Sequence, residues 1–152
     1  MTRPLRLAYK GALYHVHARG NERRKIFFTN RDYEKFKGYL TRAIEKYQCL
    51  IHCYVLMRNH FHLIIETPGA NISNVKHYIS GSNTTYINIK RGRNGHLFQG
   101  RYKSVLVDKD SYLMELSRYI HLNPVRAKMV EKPEEYSYSS YISYITGKPE
   151  RG

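Results

Sequence analysis

The sequence contains no tryptophan and only two cysteines among its 152 residues. Cys49 and Cys53 do not form a CxxC pair, and two thiols cannot supply the disulfide framework of a small secreted domain. Acidic residues are also scarce: 12 Asp and Glu stand against 26 Lys and Arg, a formal net charge of +14. No apolar run approaches the ~18 residues of a membrane-spanning helix. The N-terminus is basic, but Tyr9, Lys10 and Gly11 interrupt it where a signal peptide needs a continuous apolar stretch. The expected location is the cytoplasm.

What is present is enough apolar material for a core, 41% of the residues. The length suits one domain spanning 1–152, with 131–152 as a Ser/Tyr/Pro-rich C-terminal extension that wraps it. A pI near 9.8 implies an acidic partner, nucleic acid before a membrane surface. Fifteen tyrosines add side chains that can stack on bases or act as nucleophiles.

Periodicity divides the chain. Alternation predicts a strand over 12–19, closed by Gly20-Asn21. Thr29 and Asp32 read as a capping box, and Phe36, Leu40, Ala43, Ile44 and Tyr47 recur at helical spacing, so a helix is expected over 30–46. Strands over 50–57 and 60–66 flank a turn at Arg58-Asn59. A helix over 72–90 carries Ile72, Val75, Ile79, Ser82, Tyr86 and Ile89 on one side. A short strand over 104–107 precedes a last helix, capped by Asp108 or Asp110 and ending near Asn123, because Pro124 disfavours helical dihedrals in its predecessor. The order matches an α+β, ferredoxin-like (split βαβ) antiparallel sheet with one face under two helices, plus an additional C-terminal helix.

His60 and His62 alternate with Phe61, Leu63 and Ile65, so strand geometry places both imidazoles on one face, expected to be the open one. Two neutral imidazoles can share a divalent ion, although magnesium and manganese also require oxygen ligands. A hydrogen-bonded surface pair is the competing reading. His15 and His17 repeat the pattern in the first strand; on the same surface they would make a crowded histidine face attractive to phosphate, but exposed polar positions are the simpler explanation. Cys49 and Cys53 are expected on one face of the neighbouring strand, as buried thiols rather than zinc ligands.

Tyr119 and Asn123 are four residues apart, on one side of the final helix. Asn123 offers the oxygen ligand that the histidine pair lacks, and Tyr119 offers a nucleophile once a metal polarises a phosphodiester. A packed amphipathic tyrosine is the alternative. Lys90, Arg91, Arg93, Arg101 and Lys103 bracket a glycine-containing loop suited to phosphate contacts, and Arg23, Arg24 and Lys25 form a second basic cluster.

Four segments together resemble a known family. Asn59-His60-Phe61-His62-Leu63-Ile64-Ile65-Glu66, Arg118-Tyr119-Ile120-His121-Leu122-Asn123-Pro124-Val125-Arg126-Ala127, Gly95 to Ser104, and Arg19-Gly20-Asn21 before Ile26-Phe27-Phe28 are similar to the HUH-type single-tyrosine transposases, especially the REP-associated branch. The resemblance implies a metal-dependent single-stranded DNA transesterase acting near hairpins. In it, His60, His62 and Asn123 hold Mg2+ or Mn2+, and Tyr119 forms a 5′-phosphotyrosine intermediate. Insertion-sequence relatives commonly carry glutamine where this chain has Asn123, which favours the REP-associated branch. Dimeric and monomeric action both occur among such relatives. The competing readings are a non-catalytic single-stranded nucleic-acid-binding module and a metal-dependent hydrolase using water.

Overall fold

The computed structural model describes residues 10–107 and 113–146, with the side chains of residues 144–146 excluded. Its elements are β1 (Ala12–Arg19), α1 (Asn30–Tyr47), β2 (Leu50–Leu56), β3 (His60–Thr67), α2 (Ile72–Arg91), β4 (Lys103–Leu106), α3 (Leu113–His121), α4 (Asn123–Arg126) and α5 (Tyr141–Thr146). The four strands form one sheet in the order β2-β3-β1-β4, antiparallel at every junction. This is the α+β arrangement expected from the βαββαβ succession. The expected caps at Asp108 and Asp110 lie outside the described residues.

Alternation sorts the strands into two faces. Tyr14, Val16, Ala18, Phe61, Leu63 and Ile65 are buried against Phe36, Leu40 and Ala43 of α1 and Ile72, Val75 and Ile79 of α2. Removing such side chains from water supplies the main folding force, roughly 25 cal/mol per Å² of apolar surface. The opposite face is not open as expected. Leu13, Cys53, Val55 and Ile64 meet Ile120 of α3 and Tyr136 of the C-terminal segment in a second apolar cluster. Apolar residues at those alternate positions require such a cover, and the face stays polar at its two ends, at the histidines and at Glu66, which lies 2.8 Å from His52 Nε2.

Three further expectations change. The buried side of α2 runs through Ile72, Val75, Lys76, Ile79, Asn83 and Ile87, while Ile89 is 77% exposed, because the buried stripe drifts away from the predicted one. A register irregularity between Ile51 and Cys53 flips β2, so Cys49 joins the helix-side core and Cys53 the opposite cluster. A bulge shifts two-residue alternation by one. Finally, α3 ends at His121 and Asn123 opens a separate turn, α4, with Pro124 near its start. Proline lacks the N–H that would continue the ladder.

The helix layer is tied at one point. Thr29 Oγ1 accepts from Asp32 N–H at 3.3 Å, and the Asp32 carboxylate accepts from the backbone of Phe28 and Thr29 at 2.8 and 3.1 Å. Its other oxygen accepts from Lys90 Nζ at 2.8 Å and Tyr86 Oη at 2.9 Å, joining the start of α1 to the end of α2. Gly92 closes α2 in the left-handed region, at φ 61°, which a residue without Cβ adopts cheaply.

The C-terminal segment lies along the outer edge of β2. Leu56 N–H donates to Tyr138 O at 2.9 Å and Ser140 N–H to Tyr54 O at 3.0 Å, while the Tyr138 ring stacks on Tyr33 at 3.8 Å.

Burial raises the Asp32 carboxyl, but Lys90, Tyr86 and the two backbone donors outweigh it and leave its pKa lowered. The stability this group contributes is therefore complete above the ordinary carboxylate value of about 3.9 and lost as pH falls through the depressed one. Asp32→Asn should lower the urea midpoint at neutral pH and converge toward wild type in acid. Curves that stay parallel down to strongly acidic pH would show that the carboxylate charge contributes nothing.

Candidate active site

The β1–β3 register sets His17 opposite His62, His15 opposite Ile64 and Arg19 opposite His60. All four histidines consequently share one face. Ring centroids lie 4.9 Å apart for His15 and His17, 5.1 Å for His15 and His62, 5.8 Å for His17 and His62, and 5.3 Å for His60 and His62. The simple view of His15 and His17 as independent exposed positions gives way to a half-buried cluster.

Second partners orient the rings. His60 Nδ1 lies 2.8 Å from Asn59 Oδ1. In the tautomer that donates Nδ1–H to this amide oxygen, His60 keeps a lone pair on Nε2. His62 Nδ1 lies 2.9 Å from His15 Nε2. If His62 is the donor in that pair, its Nε2 is likewise a free lone pair.

Burial, foremost, pushes the His62 imidazole down to about 3, assisted by the neighbouring His15, His60, His17 and Arg126. Burial and His17 bring His15 down to about 4. His17 is lowered by burial, Lys103 and His60. His60 is lowered by burial and by Arg19, against a hydrogen bond to the Asn123 side chain that raises it. All four rings are therefore neutral at neutral pH, the form in which imidazole binds a metal.

The C-terminal elements bring the other residues. The Asn123 side chain hydrogen-bonds His60 despite the break between α3 and α4. The Tyr119 ring stands edge-on to His62 with centroids 6.4 Å apart, and the residue is 51% exposed. Arg126 lays its guanidinium 4.0 Å over the Tyr119 ring and donates to the Tyr119 carbonyl. His121, close by in sequence, is turned away into the apolar cover, 2.7 Å from Ser140 Oγ and 3.4 Å from Cys53 Sγ.

Beside the histidines lies a cleft of about 480 Å³ lined by His17, Arg19, His60, His62, Gln99, Arg101 and Lys103. Arg101 and Lys103 thus join the histidine site. Lys90 and Arg91 do not: Lys90 is committed to Asp32, and Arg91 lies 4.1 Å over Phe28, both on the helix side of the sheet. Arg93 follows the cap of α2, its N–H donating to Asn88 O. Arg23, Arg24 and Lys25 sit in an exposed loop pinned to the turn before His60, where Ile26 N–H donates to Arg58 O at 2.8 Å and Asn59 Nδ2 to Arg23 O at 3.4 Å. Glu22 and Arg23 adopt φ of 54° and 59° there, uncommon for residues with a Cβ.

Sequence reasoning left out Arg19, Gln99 and Arg126 and undervalued His15. The matching His-x-His patterns of β1 and β3 were the available signal for His15, given antiparallel pairing.

The pattern described as "Transposase IS200 like" matches residues 8–123. The chain belongs to the IS200-like transposase family. Membership places it among enzymes that cut DNA and transfer strands. The fold agrees: a REP-associated tyrosine transposase bound to a REP hairpin superposes with a TM-score of 0.82 at 17% identity, covering 96% of this chain and 86% of that one. A Deinococcus radiodurans protein described as a candidate transposase gives 0.53 at 16% identity, covering 79% and 95%. No curated protein matches the sequence. Among the described residues of this transposase, no helix is long and apolar enough to cross a membrane. No group of three or more His, Cys, Asp and Glu residues among them is placed to hold a metal.

One backbone approach fixes the basic loop beside this site. A Cβ on Gly20 would stand 2.0 Å from the Arg24 carbonyl oxygen. Gly20→Ala should therefore displace the 21–26 loop from the 58–59 turn and cost about 1–3 kcal/mol, as overpacking does. Backbone amide shifts confined to the mutated residue, with unchanged thermal stability, would refute this.

Proposed function

We propose that this transposase is a single-stranded DNA transesterase in which Tyr119 attacks a phosphodiester, forming a 5′-phosphotyrosine and releasing a 3′-hydroxyl. The observation that carries this reading is the convergence of Tyr119 and Asn123, from the C-terminal helices, on His60 and His62 of β3. The donor set fits a divalent cation: two neutral imidazoles and the oxygen of a side-chain amide. His60, His62 and Asn123 would hold Mg2+ or Mn2+. Such an ion, when bound, polarises the phosphoryl group and offsets its charge.

The chain's own residues perform the rest. Tyr119 supplies the attacking oxygen, and its exposure leaves room for a strand to approach. Arg19, Arg101 and Lys103 line the cleft with positive charge, where phosphates on either side of the break would lie. The 3′-hydroxyl released by cleavage, or one from another strand, reverses the attack on the phosphotyrosine and regenerates the phenol. Because the ester bond is retained at each exchange, no nucleotide cofactor is needed. The hairpin in the structure of the REP-associated relative supports a hairpin-forming strand as substrate, with Arg23, Arg24 and Lys25 as a flanking contact. The burial of the second sheet face under α3 counts against a stacking platform for RNA. Lys90, Arg91 and Arg93 remain as a secondary basic surface, and successive cleavages by one tyrosine per chain require its reuse, a second protomer in a homodimer, or exchange of covalent partners.

Tyr119→Phe keeps the ring and removes the nucleophile. With an end-labelled hairpin and Mn2+, wild type should retain the DNA segment bearing the 5′ phosphate, on a peptide containing residue 119. The variant should bind equally well and form no adduct. Rapid-quench cleavage without any covalent species would instead establish attack by water.

His15→Phe removes the imidazole paired with His62 Nδ1 while roughly preserving ring volume. Metal affinity should fall about 10- to 100-fold, the usual effect of losing a group that orients a ligand. Calorimetry with Mn2+ on the folded variant checks this, and an unchanged affinity would leave His15 a packing residue only.

A further inference from the structure

Arg126 is absent from the ligand and nucleophile set, yet it contacts both the ring and the backbone of Tyr119. Its guanidinium lies 4.0 Å over the phenol ring, and the same group donates to the Tyr119 backbone carbonyl. The carbonyl belongs to the last turn of α3, where backbone acceptors lack partners from the helix itself. Arg126 closes α4, three residues after Asn123, so the turn that presents the amide to His60 also presents the arginine to Tyr119. The charge reaches His62 as well, being among the groups that lower its pKa.

We propose that Arg126 is a positioning residue for the tyrosine attack: it clamps the half-exposed Tyr119 ring from one side and fixes the phenol relative to the histidines. This rests on the transesterase reading of the same site. The physical case is one of entropy. A tyrosine 51% exposed on a helix end is free to change χ1 rotamer, and each change moves its oxygen relative to His60 and His62. A planar cation that stacks on the ring while its own N–H is tied to the ring's backbone carbonyl restricts that freedom at both ends. Lysine can replace the charge but not the plane. The break between α3 and α4 then acquires a purpose: a continuous helix would carry residue 126 a full two turns past residue 119, about 10 Å along the axis, beyond reach of a face-on stack.

The test uses the full chain with Arg126→Met and Arg126→Lys, a labelled hairpin with single-stranded flanks, and Mn2+ under single-turnover conditions. Arg126→Met should lower the rate of Tyr119 adduct formation at saturating DNA about 10- to 100-fold, as misplacement of a reacting group does. Hairpin affinity and thermal stability should stay near wild type, and Arg126→Lys should recover only part of the rate. In the absence of DNA, the Tyr119 ring resonances, assigned by their loss in Tyr119→Phe, should shift and narrow in Arg126→Met as the ring is released. A wild-type rate at saturation with weakened hairpin binding would make Arg126 a phosphate contact and overturn the proposal. Lowered thermal stability with unchanged rate and unchanged ring signals would make it a helix cap, with the same consequence. If wild type itself forms no adduct, the transesterase reading fails, while the ring resonances still decide whether Arg126 holds Tyr119.

Discussion

The two-residue alternation of β3 is the constraint on which the molecule depends. Phe61, Leu63 and Ile65 are drawn into the helix-side core, where Phe61 meets Phe36 at 5.0 Å and Tyr102 at 4.9 Å between centroids. Their burial forces His60 and His62 to the other face with no further instruction. Because β3 is an inner strand, paired with both β1 and β2, the positions of the two imidazoles are set by two ladders at once. His60 and His62 therefore sit on an inner strand of the sheet, and Tyr119 on an added helix.

Electrostatics divides the basic residues by the work they do. Lys90 is among the most basic-looking positions of the sequence, yet it secures Asp32, and Arg91 covers Phe28. Arg19, Arg101 and Lys103 line the cleft instead. Burial keeps the histidines neutral, and the surrounding cations reinforce that state. One arrangement thus leaves lone pairs available while attracting phosphate.

Much of this was legible from local pattern. The capping box at Thr29 and Asp32, the strand at 60–66 and the second strand-helix alternation all depend on neighbours in sequence, and these are present in the structure. What local pattern did not contain was register. The pairing of His17 with His62, which turns two separate His-x-His pairs into one cluster, arises from strands far apart in the chain. The irregularity at His52 likewise reverses which face Cys53 joins, and alternation alone places it with Cys49. The cover on the second face escaped notice because its apolar positions, Leu13, Val55 and Ile64, are spread over three strands. Arg126 stayed silent because helix spacing predicts no contact with Tyr119 across a break.

The hydrogen bonds that residues 138–140 make to Tyr54 and Leu56 have a consequence for assembly. Edge strands invite pairing with other chains, and the β2 border of this sheet is already taken by the protein's own C-terminal segment. A neighbouring molecule that sought to extend the sheet there would first have to unzip that segment, giving up the Tyr138–Tyr33 stack and the Ser140 contact to His121. Among the described residues, β4 is left as the unguarded border. It spans only Lys103–Leu106 and opens with a lysine, two traits that discourage accidental polymerisation. Any pairing of two copies is thereby directed away from the sheet borders.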